Sequence, residues 1–313
     1  MKIFKKGRMI RFIATLLIVL LGMFTSAGAA ETSANLLILV PKINAAYDRV
    51  FAEIVAGVAS HDGVTPTTMA LTNSTDEEDI QRAIDAGEAD ALIALGHSSY
   101  DIAQQFDDRL PVIHGGMIMT PQGQSGISLA GSPAEFFSHL GIIAPTVKRV
   151  FTVYGDQNSG WLIDLAQREA DKRDIELIAL AAKDVRDAVY RMRDVLNQVR
   201  GPSDGIWLLL DKVMPDQTVL PMVLEAAWKQ NVVLFSNNPS HTKRGALFAL
   251  YPDHHNMGYA LAELSLQRIQ SEQPLLLPLT NLKVSVNERT ASHLGLRYST
   301  DQLEGFDLIY PLR

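Results

Sequence analysis

Short, continuous apolar runs alternate with amphipathic stretches along this chain, and the alternation restarts half-way. Leu36-Leu37-Ile38-Leu39-Val40 reads as a buried strand and Ala45 to Ser60 as a helix, with Val50, Ile54, Val55 and Val58 on one face. Thr67 to Leu71 is a weaker strand, and Asp76 to Ala86 a helix with an acidic, Ser/Thr-rich start. Asp90 to Leu95 is a strand, Tyr100 to Phe106 helical, and Pro111-Val112-Ile113 a strand. The second series begins at Arg149 to Tyr154 and alternates through Trp161 to Lys172, Ile175 to Leu180 and Val185 to Val199. It continues through Gly205 to Leu210, Val219 to Gln230 and Val232 to Phe235. Asp90-Ala91-Leu92-Ile93-Ala94-Leu95 answers Asp204-Gly205-Ile206-Trp207-Leu208-Leu209. Strands without polar alternation, separated by helices, are parallel strands covered on both faces. The fold class expected is α/β, with two similar doubly wound parallel-sheet lobes meeting near Ala144-Pro145-Thr146.

The start of the chain has a different logic. Lys2, Lys5, Lys6, Arg8 and Arg11 precede an apolar run from Phe12 to Phe24, and Thr25-Ser26-Ala27-Gly28-Ala29-Ala30 follows. This basic, apolar, small-residue order is that of a secretory signal peptide, expected over residues 1–30. An apolar core of about 13 residues falls short of the roughly 20 that span a bilayer. With no cysteine there is no lipid attachment through a thiol, no thiol catalysis and no Cys-ligated metal. The whole chain has 28 Lys+Arg and 35 Asp+Glu; the leader holds five of the basic residues and none of the acidic ones, which leaves 23 against 35. An excess of twelve negative charges argues against nucleic acid as a partner. The location expected is the periplasm.

Ligands of open α/β sheets bind beyond the carboxyl ends of the strands. Here those ends carry Lys42, Asn44 and Tyr47, then Gly96-His97-Ser98-Ser99-Tyr100, then His114-Gly115-Gly116. In the second series they carry Asp156-Gln157-Asn158-Ser159, Asp211-Lys212 and Ser236-Asn237-Asn238. The set is rich in hydroxyls and amides, which hold a small polar molecule by directional hydrogen bonds. Ser, Asn and Asp are also the preferred helix caps, so any one of them could be capping alone.

The segment from Phe235 through Ser236-Asn237-Asn238-Pro239-Ser240-His241 to Leu247 resembles the hinge-side segment of the ABC transporter substrate-binding family that includes tryptophan/tyrosine-type binding proteins. Tyr251-Pro252-Asp253 through Met257-Gly258-Tyr259, the turn Tyr154-Gly155-Asp156-Gln157-Asn158-Ser159, and Asn281 through Gly295 fit the same family. The resemblance implies a type I periplasmic-binding-protein fold with three crossovers and a ligand clamped between hinged lobes. It divides the chain into 31–145 plus 254–275 and 146–253 plus 276–313. The expected ligand-facing residues are Tyr47, His97, Ser98, Ser99, His114, Asn158, Ser159, Asp211, Asn237 and Asn238. Gly96-His97 and His114-Gly115-Gly116 depart from the family pattern, so aromatic amino-acid specificity does not carry over. The implied partners are a small-molecule ligand, such as an amino acid or related compound, and an ABC transporter permease or a membrane sensor kinase or cyclase.

Rival readings are weaker. Gly96-His97-Ser98-Ser99-Tyr100 departs from the G-x-S-x-G turn of serine hydrolases at its last position, which leaves an α/β hydrolase as the second alternative. Neither G-x-G-x-x-G after a strand nor a P-loop occurs, and no cofactor is expected. His254 and His255 are adjacent and point about 100° apart on a helix, a poor arrangement for one metal ion. A two-lobed transcriptional regulator would need a DNA-binding head where the leader stands. Trp207 is expected to pack in the core, and Trp161 could pack or face ligand.

Overall fold

The computed structural model describes residues 33–72 and 74–312; the expected signal peptide lies outside them. The first sheet contains β1 (Ala34–Pro41), β2 (Val64–Leu71), β3 (Ala91–Leu95), β4 (Val112–Gly115), β5 (Ser125–Gly131) and β11 (Leu276–Leu279). Their spatial order is β11-β5-β4-β3-β1-β2, parallel throughout. The second sheet has β6 (Arg149–Gly155), β7 (Glu176–Ala182), β8 (Asp204–Leu208) and β9 (Val233–Ser236). With β10 (Phe248–Pro252), β12 (Leu282–Asn287) and β13 (Leu308–Tyr310) its order is β13-β12-β10-β9-β8-β6-β7. The β10–β12 pair alone runs antiparallel among the pairs described. This is the doubly wound two-sheet architecture expected from the apolar rhythm.

Helices cover the sheets. The first series has α1 (Ala45–Ala59), α2 (Glu77–Gly87) and α3 (Gly96–Ala103). Then come α4 (Pro133–Ile143), α5 (Asp156–Asp171), α6 (Val185–Gln198), α7 (Asp216–Gln230) and α8 (Pro239–Arg244). The last are α9 (His254–Gln270), α10 (Glu288–His293) and α11 (Thr300–Glu304). The inner strands β3 and β8 are buried from end to end. The edge strand β2 alternates with exposed residues and tolerates Pro66, whose missing N–H would break a central ladder. Asp90 and Asp204 occupy matching places at the feet of β3 and β8. Asp90 accepts the Asn35 N–H at 2.8 Å at the start of β1, and Asp204 takes both Nε and Nη2 of Arg149 at the start of β6.

The chain passes between the sheets three times, after β5, after β10 and after β11. The first passage comes earlier than 145/146. Helix α4 packs with the second sheet, its Phe136 ring 4.9 Å from Trp207 and 6.3 Å from Phe235. The last comes later than 275/276, because Leu276–Leu279 pairs with β5 in the first sheet. Trp207 is fully buried and stacks on Phe235, as a core residue should, and Trp161 packs against the same cluster. In the first lobe α1 and α9 touch backbone to backbone. A Cβ on Gly57 would fall 1.8 Å from the His255 carbonyl oxygen, and one on Gly258 1.9 Å from that of Ile54.

Candidate functional site

Strands β3, β6 and β8 deliver their last residues to a common side, and the helices that follow β3 and β6 begin at once. Helix α3 starts at Gly96 and α5 at Asp156, four and five residues before the sequence rhythm places them. The polar stretches after β3 and β6 are therefore first turns of helices rather than loops. Gly96 enters α3 at φ 73°, a left-handed conformation that a residue without Cβ adopts freely, and Phe51 closes the space beside it.

Between these ends lies a cleft of about 600 Å3 lined from both lobes. The first lobe contributes His97, Ile118, Thr120 and Gln122; the second contributes Gln157, Asn158, Ser159, Leu210, Asp211 and Lys212. Ile118 and Leu210 are 39% and 55% exposed, one apolar side chain on each lip. Asp211 is 9% exposed and heavily engaged. It accepts the Gly155 N–H at 2.9 Å, the Ser159 hydroxyl at 2.5 Å and the Val213 N–H at 3.0 Å. The carboxylate thus fastens the start of α5 to the turn after β8. A second cavity, about 510 Å3, lies at the opposite end of the second sheet around Trp228, Arg244 and Arg289. It is lined by one lobe alone and could not couple a ligand to movement between the two.

Of the ten residues expected to face ligand, four line the cleft: His97, Asn158, Ser159 and Asp211. The other six are placed elsewhere. Ser99 is buried and donates to the Leu39 carbonyl at 3.3 Å, tying α3 to β1. Ser98 faces a smaller cavity of about 120 Å3 with Lys42, Thr72 and Thr75. Tyr47 is exposed on α1, 6.3 Å from the ring of Phe51. His114 is 2% exposed, with its ring 4.4 Å from that of Tyr100 and no partner for Nδ1 among the described residues. Burial pushes its pKa down to about 4, so it is neutral at pH 7. The Asn237 carboxamide oxygen accepts the Trp207 indole N–H at 3.1 Å. Asn238 caps α8 by accepting the Ser240 N–H at 2.9 Å, and its Nδ2 reaches Asp216 at 3.4 Å. Asn238 thus follows the capping alternative, whereas Asn237 caps no helix and is engaged by the Trp207 indole.

Sequence reading missed Ile118, Thr120, Gln122 and Leu210. The first three sit in Met117 to Gln122, where apolar residues occur without strand or helix period next to Pro121 and Gly123. That mismatch is the available signal: apolar side chains in a segment unable to bury them in regular structure. His254 and His255 open α9, where Asp253 caps by accepting the Asn256 N–H. No group of three or more His, Asp or Glu residues suited to a metal ion occurs among the described residues.

The family model described as ABC transporter substrate binding protein matches residues 134–304, over half of the chain and beginning within α4. The chain belongs to this family. Solved structures share the fold of this substrate-binding protein. A ligand-free, open substrate binding protein with adhesive properties from Clostridium difficile aligns with a TM-score of 0.59 at 16% identity, covering 90% of this chain and 100% of the other. An ABC domain in complex with L-Trp from Streptococcus pneumonia aligns with a TM-score of 0.51 at 16% identity, covering 88% and 99%. A conserved domain protein from Vibrio cholerae gives a TM-score of 0.51 at 16% identity, covering 89% and 99%. Among curated proteins none matches.

Proposed function

We propose that this chain is an exported solute-binding protein that captures a small polar molecule between its lobes and hands it, chemically unchanged, to an ABC transporter. The observation that carries the reading is the cleft lined from both lobes, in a chain of the substrate-binding family. The lining offers amides, hydroxyls and one amine, and its carboxylate is held by three protein donors rather than poised as an acid or base. Export and a periplasmic location rest on the basic, apolar and small-residue order of residues 1–30. No described helix is long and apolar enough to cross a membrane. The family favours a transporter as partner over a membrane sensor.

Small-angle scattering with and without the solute recovered from the purified protein tests this reading. Capture between hinged lobes reduces the radius of gyration, and the solute leaves with its mass unchanged. An unaltered radius together with a chemically altered product would replace the reading with an enzymatic one.

A further inference from the structure

We infer that the cleft takes an anionic solute with no ammonium group of its own, a carboxylate such as a 2-hydroxy acid rather than a zwitterionic amino acid. The inference rests on the solute-capture reading and concerns the charge of what is captured. Asp211 is the one carboxylate on the described lining, and an amino acid's ammonium would look to it first. Three of its roughly four acceptor positions already serve Gly155, Ser159 and Val213. Asp156, in the first turn of α5, stands apart from the lining, with Oδ1 beside its own helix where a Cβ on Gly160 would lie 3.0 Å away.

The positive side of the balance is open. Lys212 is exposed on the lining and has no carboxylate within ion-pair distance among the described residues. The first turns of α3 and α5 also contribute to the lining, and their N-caps are Leu95 and Gly155, neither of which supplies a side-chain cap. Helices that follow the edge strands differ: α2 is capped by Asp76 and α6 by Asp184. The start of α5 is already met by Asp211, which accepts the Gly155 N–H, and carries Asp156 in its first turn. The start of α3 has no acidic residue in its first turn and adds partial positive charge to that of Lys212, and an anion satisfies both. An ammonium would face them with a carboxylate already committed. Ile118 and Leu210 on opposite lips suit a solute whose remaining body is apolar.

The test uses the exported protein labelled with nitrogen-15 and a minimal pair of probes. Lactate and alanine have the same carbon skeleton and differ in a hydroxyl against an ammonium; acetate and methylammonium serve as the bare charges. Lactate and acetate should saturably shift the amides of His97, Ser98, Gln157 and Asn158. Alanine should bind at least about fivefold more weakly than lactate, and methylammonium should leave these amides unmoved. Lys212→Gln should weaken lactate by about fivefold or more. The inference is overturned by alanine binding as tightly as lactate, by lactate affinity that ignores Lys212→Gln, or by anions that leave the cleft amides unshifted. Alanine prevailing would leave the solute-capture reading standing, since the scattering experiment tests that independently.

Discussion

Asn158 and Asn237 hold similar rank in the second lobe, each shortly beyond an inner strand, yet their carboxamides are spent differently. Asn237 is bound to the Trp207 indole, which stacks on Phe235 and meets Phe136 from α4 at a tilt. Asn158 is half-buried on the cleft lining, and its carboxamide makes no hydrogen bond among the described residues. A polar residue past a strand end is thus an ambiguous sign. What separates the two is whether the protein has already used its hydrogen-bonding groups, and Asp211 shows the same bookkeeping for a charge.

Asp211→Ala should have the largest effect on this contrast. It strands the Gly155 and Val213 amides and the Ser159 hydroxyl in a largely buried setting, and should cost about 3 kcal/mol of unfolding free energy in a urea titration. A loss under about 1 kcal/mol would mean that the carboxylate is free for ligand after all.

The first lobe sharpens the comparison through pH. Ser99 is committed to the Leu39 carbonyl, whereas His114 is buried with Nδ1 unpaired. Its pKa is about 4 when folded, against 6.5 when unfolded. Below 6.5 the unfolded chain takes up a proton that the folded one resists. Stability is therefore full above pH 6.5 and declines toward pH 4, by up to about 3 kcal/mol. His114→Phe, which retains a ring against Tyr100, should flatten that part of the stability profile. An identical slope in the variant would assign the loss to other groups.

Much of the fold was legible because burial on both faces writes itself as unbroken apolar runs, as in Leu36 to Val40 and Asp90 to Leu95. Strand β5, SGISLAG, escaped notice because small residues pack in its close quarters. A Cβ on Gly126 would stand 2.3 Å from the His114 carbonyl oxygen, and apolar patterning does not report such proximity. The early starts of α3 and α5 were hidden too, since Gly, Ser, Asn and Asp favour turns when judged locally. Here the strands and Asp211 set those first turns in place. The lobe assignment of α4 was beyond local reading, because it depends on Phe136 meeting Trp207 about 70 residues later in the chain. At the site, the second-lobe residues Asn158, Ser159 and Asp211 were found from strand ends. Asn237 and Asn238 were indistinguishable from them until their partners were visible.

The most direct measurement takes Asn158→Ala and Asn237→Ala side by side, recording for each the unfolding free energy and the affinity for the solute that closes the lobes. Asn158→Ala should weaken binding by about 5- to 150-fold and move stability by less than about 0.5 kcal/mol. Asn237→Ala should leave the Trp207 N–H unpaired, lose about 1–3 kcal/mol of stability and keep its affinity nearly intact. The reverse pattern, with affinity lost at Asn237 and stability lost at Asn158, would contradict the account.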